Sequence, residues 1–482
     1  MRRLLSIFFV WILAAPPSFA AITAATAWEI RTGGSEANGG GFDASLGGVD
    51  YSQQDAAQYA YMDIVIDGTD NTKITSAARP FVAARDEGNT INITAGTGFT
   101  VQRVQILSVD GSNVATCDKA VGTIGSTGGT GNFGGGLTLP AATAPVIVSL
   151  VVPGNTVYIT GSYSRSASMT LAVNGTSGLP INWVGYTSTR GDGGKATLTA
   201  TAGLVTLINA NGHLNNLRNL NLNCASQSAT RGLGLNGNYA EADNIEAYAC
   251  ANRAFYLQAA SVRLTNSVAR NNPTQPAVEV ATGTAYLSGV VARDNTVTGF
   301  LLSSGSAVFD RCASLNNTGG SSDGFANTNT GALLFLVSQS LAHGNGRHGV
   351  NATTAAAMDG TTIRGSLLTS NVSCGINSAV TNWTTARGAV ARNGFWNNGT
   401  NHCQVVAGVG DVELRAGANP FVDSASGDFR LNSTASAGAV LRAAGWPGLL
   451  PYGGTGYLDI GPLQHEDSGT PSSTPTSYPI LQ

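Results

Sequence analysis

The sequence predicts an all-β protein: a right-handed parallel β-helix with three short strands in each coil of roughly 22–29 residues, preceded by a small β-rich N-terminal module. Three observations predict this fold. The chain of 482 residues has 62 glycines, and its residues are 42% apolar but only 11% charged. A short motif recurs at a nearly constant spacing. Within each repeat, inward and outward positions alternate, which favours strands over helices.

The recurring motif joins a short strand to a polar turn. Its six copies are SVARNN, VVARDN, CASLNN, SLAHGN, SLLTSN and AVARNG, which begin at Ser267, Val290, Cys312, Ser340, Ser366 and Ala389. An apolar residue, usually behind a glycine, follows each of the first five copies. With two earlier members, these apolar residues are spaced by 22, 23, 22, 25, 25 and 26 residues: Leu233, Phe255, Val278, Phe300, Phe325, Val350 and Ile376. This period indicates a stacked solenoid.

Alternation within a repeat indicates that the solenoid is built from strands. Phe300 and Leu302 are expected to point inward and Leu301 outward, and no segment sustains a helical period through a repeat. Equivalent residues of successive coils should then form columns. The apolar residues from Phe255 onward form an interior column, and a structural ladder is expected at the turn after the first strand of the repeat, at Asn252, Asn272, Asn295, Asn317, Asn345 and Asn371.

The two ends of the chain differ from the solenoid. Arg2 and Arg3 precede the apolar run LLSIFFVWILAA, and small residues follow, so residues 1–20 are predicted to be a signal peptide. The protein is therefore expected to be secreted or held at the cell surface, without an integral membrane anchor after signal removal. Residues 21–140 are assigned to the module, 141–465 to the β-helix with its C-terminal cap, and 466–482 to a flexible tail.

Several segments carry a resemblance to a known group. PGNTVYITGSY from Pro153 and NGTSGLPINWVGYTSTRGDGG from Asn174 are similar to the first coils of secreted right-handed β-helix proteins of the pectin-lyase-like superfamily. NPFVDSASGDFRL from Asn419 and GYLDIG from Gly456 resemble the closing segment of that group. The N-terminal module resembles the small β-rich modules of some phage and bacterial surface proteins. The resemblance implies a fold, which does not determine activity.

The cysteines predict two disulfides. Cys224 and Cys250 occupy equivalent positions one coil apart, and Cys374 and Cys403 lie near the same turn of the last two coils. Neighbouring strands are about 4.8 Å apart, a separation that a disulfide tolerates in an exported protein. Cys312 falls in a column of small residues and is expected to be a buried thiol. No Cys/His set has zinc spacing, so no metal site is predicted.

The densest ionisable patch lies in and around SLAHGNGRHGVN, from Ser340 to Asn351. Asp323 and His348 are predicted to be neighbours on adjacent coils, with Asp294 and Arg347 nearby. As a catalytic site, this patch would supply the two carboxylates of glycoside hydrolysis, Asp294 and Asp323. As a scaffold, it is a solvated turn surface. The scaffold interpretation is preferred, since turn residues are mostly polar for solvation alone.

A second set of candidate residues is expected on the outer face of one strand column. Arg270, Arg293, His343 and Arg392 are predicted to share this face and to contact a ligand. The formal net charge of −3 gives no reason to expect nucleic acid as a partner. A polysaccharide or surface glycan is the expected partner, and the oligomeric state is left open.

The superfamily resemblance weakens a catalytic assignment. The polygalacturonase pattern of paired aspartates, a Gly-His-Gly and an Arg-Ile-Lys is absent, although an arginine base for a lyase stays open. Asp243, Asp310 and Asp359 do not form the adjacent acidic stack that would hold calcium, so no cofactor is predicted. Two hypotheses follow: a non-catalytic surface, fibre or adhesin-like glycan-binding protein, or a polysaccharide lyase or glycoside hydrolase acting on an acidic polysaccharide.

Overall fold

The computed structural model describes residues 22–331, 334–354, 357, 360–380, 389–442, 444–445, 447–449 and 455–463. The chain divides into two compact units, and residues 37–135 form most of the first. The second contains residues 27–36 and the chain from residue 136 onward. Residues 27–36, which the sequence analysis placed in the N-terminal module, are thus grouped with the second unit. The predicted signal peptide and tail lie outside the described residues.

The first unit is an antiparallel β-structure with its own core. Six strands form a closed sheet, in the order Tyr59–Ile66, Lys73–Thr75, Ala115–Cys117, Gln102–Val109, Thr90–Ala95 and Gly129–Phe133. Gly41–Phe42 is a further short strand, and Ala44–Leu46 and Ala83–Asp86 are single helical turns. The buried side chains include Tyr61, Ile93 and Phe133. Alternation in segments such as NTINITAG is what places these apolar residues on one side of the sheet.

The second unit is a parallel β-solenoid with three strand stacks. The first stack contains Ala27–Ile30, Thr156–Thr160, Ile181–Tyr186, Val262–Thr265, Thr284–Ser288, Ser306–Asp310, Phe335–Ser338, Thr361–Arg364 and Ala389–Ala391. The second contains Ser162–Arg165, Ala196–Ala200, Val268–Arg270, Val291–Arg293, Ala313–Leu315, Leu341–His343, Leu367–Thr369, Gly394–Trp396 and Val412–Glu413. Two longer strands, Asn215–Asn223 and Ala240–Tyr248, pass through both stacks.

The third stack is a separate parallel sheet of ten strands. These are Met169–Leu171, Thr206–Ala210, Arg231–Leu235, Phe255–Leu257, Val278–Val280, Phe300–Leu302, Phe325–Asn327, Val350–Ala352, Cys374–Ser378 and Thr400–Cys403. Each strand pairs with its equivalent in the next coil, and parallel crossovers of this kind are right-handed. The predicted right-handed parallel β-helix with three strands per coil is confirmed.

The interior column has the predicted register. Phe300 pairs with Val278 on one side and with Phe325 on the other, and the column continues to Val350 and Ile376. Phe300 is fully buried, and its ring lies 4.8 Å from that of Phe325 in a stacked arrangement. Leu301 is half-buried and points outward, so the predicted alternation is correct.

The asparagine ladder is buried and hydrogen-bonded. The side-chain amide of Asn295 donates to Asn317 Oδ1 at 2.7 Å, and its own Oδ1 accepts from the Asn272 amide at 2.8 Å. The predicted place of Asn252 in this ladder is wrong, because the Cys250 backbone N–H donates to Asn272 Oδ1 instead. Cys250 therefore takes the ladder position. Asn252 lies two residues farther along, in the turn.

Both predicted disulfides are present. Cys224 and Cys250 have Cα atoms 4.7 Å apart, and the Cα atoms of Cys374 and Cys403 are separated by 6.0 Å. Cys312 is a buried free thiol, as predicted. Its backbone N–H donates to Ser340 Oγ at 3.1 Å, which fits the column of small residues. The disulfides thus join adjacent coils at both ends of the ladder region.

The chain closes by folding back over the outer face of the second stack. An antiparallel pair, Phe421–Asp423 and Asp428–Leu431, forms a hairpin, which is followed by the helical turn Gly438–Leu441 and a second pair, Pro447–Leu449 and Thr455–Tyr457. The hairpin and the residues after it pack on outward apolar side chains of four coils: Val291, Ala313, Leu315, Leu341 and Leu367. A further helical turn, Ile147–Leu150, lies at the start of the solenoid. Among the described residues, no helix has the length and apolarity needed to cross a membrane.

Candidate functional site

Asp323 and His348 lie on adjacent coils, as predicted. Phe325 pairs with Val350, so the residues two positions earlier are equivalent as well. Asp323 is 1% exposed, however, and the expectation that the pair lies on the surface is wrong for this carboxylate. Its position just before the third stack turns the side chain toward the next coil.

The Asp323 carboxylate is fully engaged by its neighbours. Arg347 donates from Nε to Oδ1 at 2.8 Å and from Nη2 to Oδ2 at 2.5 Å. The Asn351 amide donates to Oδ2 at 2.7 Å, and the His348 backbone N–H donates to Oδ1 at 3.3 Å. The hydrogen bonds that Arg347 donates to Asp323 raise the pKa of Arg347 against desolvation, and the negative charge of Asp323 adds to this effect. This arrangement holds two coils together and leaves the carboxylate without free lone pairs for a substrate.

The His348 imidazole does not form a side-chain hydrogen bond with Asp323. Its Nδ1 atom is buried and has no hydrogen-bond partner within the described part of the chain. Desolvation lowers the pKa of His348, although the nearby Asp323 charge opposes this effect. A proton relay requires a base within hydrogen-bond reach of an orienting group, and the two side chains lack that link.

Asp294 does not join this group. Its carboxylate pairs with the Arg293 guanidinium at 2.8 Å, and both side chains are solvent-exposed. No hydrogen bond or ion pair between described residues connects Asp294 with Asp323, Arg347 or His348. Of the four residues proposed as catalytic, Asp323, Arg347 and His348 therefore lie together on adjacent coils, while Asp294 belongs to a separate surface ion pair with Arg293. Their catalytic role stays a prediction that this geometry does not favour.

The outer column of the second stack differs from its predicted composition. Arg270, Arg293, Leu315, His343 and Thr369 are in register, and the next member is Trp396. The predicted place of Arg392 in this column is wrong, because Arg392 follows the last strand of the first stack. Its Nη1 donates to the Gly445 carbonyl at 3.2 Å. Arg392 therefore contacts the C-terminal cap.

His343 is covered by the C-terminal hairpin. Its ring contacts Phe429 and Phe421 with centroid distances of 5.0 and 5.7 Å, and Nδ1 shares a 2.9 Å hydrogen bond with Thr369 Oγ1. Burial lowers the pKa of His343 to about 4.

Arg270, another member of the outer column, is also engaged. It is ion-paired with Glu246 at 2.6 Å, and its guanidinium carbon lies 4.4 Å from the centroid of the Tyr248 ring. Little of this column is left to contact a ligand.

The outer face of the first stack carries a groove that the sequence analysis did not identify. Two adjoining hollows of about 360 and 480 Å³ share Glu241 and Arg263 in their walls. Tyr239 and Tyr286 line the first hollow, while Arg218, Asp243, Thr265, Ser288 and Arg311 line the second. We call these residues together the first-stack groove. They come from consecutive coils, because Asn216 pairs with Glu241, which pairs with Arg263 and then Tyr286.

Four charged side chains of the first-stack groove lack an ion-pair partner within the described residues, whereas Arg311 pairs with Asp310 at 3.0 Å. No ion pair between described residues involves Arg218, Glu241, Asp243 or Arg263. Asp243 accepts hydrogen bonds from Thr265 Oγ1 at 2.6 Å and from the Asn266 amide at 2.8 Å. The Arg263 guanidinium lies 5.4 Å from the Tyr286 ring centroid. The groove thus presents cations, carboxylates and aromatic rings side by side.

The sequence contained one signal for this groove. In the strands EAD, VRLT and TAYLS, the outward positions hold charged or aromatic residues where a solvated strand needs only small polar ones. Asp243 and Asp310 share one outward column, but Thr265 and Ser288 separate them, which agrees with the predicted absence of an adjacent acidic stack. Asp359 lies outside the described residues. Within the described ranges, no group of three His, Cys, Asp or Glu residues could hold a metal ion.

Comparison with known proteins gives matches among solved structures, at low sequence identity. No protein-family model and no curated protein matches the sequence. Among solved structures, the pectate lyase Pel9A matches with a TM-score of 0.49 and 14% identity, over 66% of this chain and 90% of that one. A mannuronan C-5 epimerase A-module from Azotobacter vinelandii matches with a TM-score of 0.37 and 14% identity, over 54% and 88%.

A third solved structure is the catalytic domain of an α-1,3-glucanase in complex with tetrasaccharides. It matches with a TM-score of 0.32 and 9% identity, over 72% of this chain and 86% of that one. All three are right-handed β-helix proteins. The fold assignment of this chain rests on the strand registers described above.

Proposed function

We propose that the protein is an exported β-helix that binds a polysaccharide chain in the first-stack groove without cleaving it. It would act as a surface, fibre or adhesin-like glycan-binding protein. The observation that carries this proposal is the set of unpaired charges on consecutive coils, Arg218, Glu241, Asp243 and Arg263, beside exposed tyrosines. The two disulfides support export, since such bonds persist in oxidising compartments.

The side-chain chemistry of the groove suits a sugar chain. Guanidinium groups donate in a fork that matches carboxylate or sulfate substituents. Carboxylates accept hydrogen bonds from sugar hydroxyls, and the rings of Tyr239 and Tyr286 offer flat apolar surface beside polar atoms. Neighbouring coils lie about 4.8 Å apart. A linear polysaccharide can therefore lie across several coils and contact a different outward side chain on each.

Binding is favoured over cleavage because the residues proposed for catalysis are otherwise engaged. Asp323 makes its hydrogen bonds to Arg347, Asn351 and the His348 backbone. Asp294 is paired with Arg293 in solvent. Neither carboxylate is poised to protonate a glycosidic oxygen or to activate water, which are the two roles that hydrolysis requires.

Cleavage within the groove is the second candidate function. Glu241 and Asp243 are two residues apart on one strand and both line the groove. In a strand, such residues have Cα atoms about 6.4 to 6.8 Å apart, and hydrolase carboxylates are separated by about 5 to 10 Å. The lyase alternative would use one of the groove arginines as its base. Either reaction would move the catalytic assignment from Asp323 to this groove.

A panel of acidic and neutral polysaccharides separates binding from cleavage. Affinity is measured by titration calorimetry, and cleavage by reducing ends and by the absorbance of unsaturated uronates. We expect binding without product, and a loss of at least about tenfold in affinity for Arg218→Ala with Arg263→Ala. Arg364→Ala is the matched control, because Arg364 is exposed in the same outward column farther along the stack.

The possible outcomes decide between the two functions. Product formation that disappears in Glu241→Gln or Asp243→Asn would replace binding by cleavage. Absence of binding to every member of the panel, or equal affinity of wild type and the double arginine variant, would overturn the proposed function.

A further inference from the structure

The charges of the first-stack groove change sign from one coil to the next. Glu241 and Asp243 project outward from the same strand. In the preceding coil, Arg218 is in register with Asp243, and in the following coil, Arg263 is in register with Glu241. One coil with two carboxylates therefore lies between two coils that each carry one guanidinium.

All four charged side chains line a single hollow of about 480 Å³. Arg218 and Arg263 are exposed, whereas Glu241 and Asp243 are half-buried. Within the described ranges, no ion pair joins either arginine to either carboxylate. Both signs of charge thus face the same open space, where a ligand can reach them.

The Asp243 carboxylate is held away from the arginine with which it is in register. It accepts hydrogen bonds from Thr265 Oγ1 at 2.6 Å and from the Asn266 amide at 2.8 Å. Both donors belong to the following coil, whereas Arg218 belongs to the preceding one. These contacts keep the negative charge of Asp243 on the central coils of the hollow.

The coil after Arg263 is uncharged on its outward face. Its outward residues are Tyr286, in register with Arg263, and Ser288. The Tyr286 ring is exposed, and its centroid lies 5.4 Å from the Arg263 guanidinium carbon. Four successive coils therefore present a positive, a negative, a positive and a neutral aromatic surface.

The spacing of these coils suits the sugars of a linear polysaccharide. Neighbouring coils lie about 4.8 Å apart, so the coils of Arg218 and Arg263 are separated by about 10 Å along the stack. A pyranose ring in an extended chain spans a length comparable to one coil. Consecutive sugars can therefore meet consecutive coils, and every second sugar meets an arginine.

We propose that the first-stack groove selects a linear polysaccharide whose sugars are alternately acidic and neutral. This inference rests on the proposed function, since it specifies the ligand of the same groove. Arg218 and Arg263 bind the acid groups of two sugars that are separated by one residue. The sugar between them is neutral, because an acid group there would face the carboxylates of Glu241 and Asp243.

The neutral sugars also find partners in the groove. Hydroxyl groups of the central sugar donate to the Glu241 and Asp243 carboxylates, which are strong acceptors. The next neutral sugar packs its apolar face on the Tyr286 ring. The carboxylate coil thus favours an alternating chain and disfavours one that is charged at every residue, so it contributes specificity by repulsion.

Titration calorimetry with three oligosaccharides of equal length tests this selectivity. Hyaluronan has a carboxylate on every second sugar, oligogalacturonate has one on every sugar, and cello-oligosaccharide has none. For the wild type we expect hyaluronan to bind at least about tenfold more tightly than oligogalacturonate, although the latter carries more charge. Cello-oligosaccharide should bind most weakly, because it offers the arginines no anion.

The double variant Glu241→Gln with Asp243→Asn removes the repulsion and keeps the size of both side chains. Its affinity for oligogalacturonate should rise by about tenfold, while its affinity for hyaluronan changes much less. Glu413→Gln with Asp423→Asn is the charge-matched control, because both residues are exposed and neither lines the groove. This control should keep the wild-type ratio of the two affinities. Circular dichroism and the melting temperature of each variant establish that the solenoid is intact.

The outcomes separate this inference from the proposed function. Oligogalacturonate or cello-oligosaccharide binding as tightly as hyaluronan to the wild type would overturn the selectivity and leave groove binding intact. A preference for hyaluronan that is unchanged in the Glu241 and Asp243 variant would do the same. Binding of none of the three probes would also overturn the inference, whereas the proposed function is decided by the wider panel and the double arginine variant.

Discussion

At the residue scale, the contacts around Asp323 and His343 decide what these side chains can do. Both were candidates for ligand contact because of their residue types and columns. In the structure, Asp323 is held by Arg347 and Asn351, and His343 is enclosed by Phe421 and Phe429. The C-terminal hairpin follows the last coils and returns over earlier ones. Sequence periodicity carries no information about such a return, so the covering of His343 could not be predicted.

Replacement of Asp323 by asparagine should destabilise the protein. The change breaks a charge pair whose acidic member is buried, and it leaves two donors without an acceptor, because each carboxylate oxygen accepts two hydrogen bonds. We expect a loss of about 2 to 4 kcal/mol in the free energy of unfolding, measured by chemical denaturation. Asp294→Asn is the control, with an expected loss below about 1 kcal/mol because that ion pair is exposed.

The same pair of positions tests the scaffold interpretation. Asp323→Asn combined with His348→Asn should leave polysaccharide affinity unchanged at temperatures where the variant is folded. If this double variant instead abolished a measured polysaccharide-cleaving activity, the catalytic interpretation of the patch would be correct.

His343 should make stability depend on pH. Its pKa in the folded state is about 4 because of burial, whereas an unfolded histidine titrates near about 6.5. Between these values the unfolded state binds more protons, so stability falls as pH drops from about 6.5 to about 4, by about 1 to 3 kcal/mol. Below the lower value this contribution levels off. Denaturation curves of wild type and His343→Leu across this window measure the difference.

A matched histidine variant controls for general pH effects. His213→Gln changes an exposed histidine on an early coil and is measured alongside, to separate the loss of the buried His343 ring from the loss of a histidine as such. A His343→Leu protein with the same slope as wild type would contradict the burial of His343 under the hairpin.

At the element scale, the coil is the unit that the sequence predicts well. Period-two alternation places Phe300 and Leu302 inside because a strand directs successive side chains to opposite faces. The columns followed from the repeat spacing, including the disulfide partners Cys224 and Cys250. The error at Asn252 arose because a cysteine replaces asparagine in the ladder at the coil where the disulfide forms. A ladder identified by asparagine alone therefore misses the coil in which Cys250 occupies the same position.

Coil stacking should contribute strongly to stability through the interior column. Phe300→Ala removes a fully buried ring that stacks on Phe325, and we expect a loss of about 3 to 5 kcal/mol through the cavity. Leu301→Ala, on the outward side of the same strand, should cost less than about 1 kcal/mol. Equal losses for the two variants in denaturant unfolding would mean that the inside and outside assignments are incorrect.

At the scale of the whole molecule, the parallel β-helix follows from repeat length and alternation, but the ligand surface does not. Outward positions of the first stack have no shared residue type: Glu241, Arg263 and Tyr286 occupy one column. These side chains form a groove only because they lie together in space. The groove is open only if the C-terminal segment covers a different outward face. Because that segment packs on the second stack, the outer face of the first stack keeps the first-stack groove.

The location of a bound polysaccharide is the most direct test of this account. A photoreactive derivative of the tightest-binding oligosaccharide would be cross-linked to the intact protein, and the labelled peptides identified by mass spectrometry. The account predicts labels in the segments that contain Arg218, Glu241, Arg263 and Tyr286, which competing unlabelled oligosaccharide removes. Competable labelling concentrated instead between Asp323 and Asn351, with none in the first-stack groove, would contradict it.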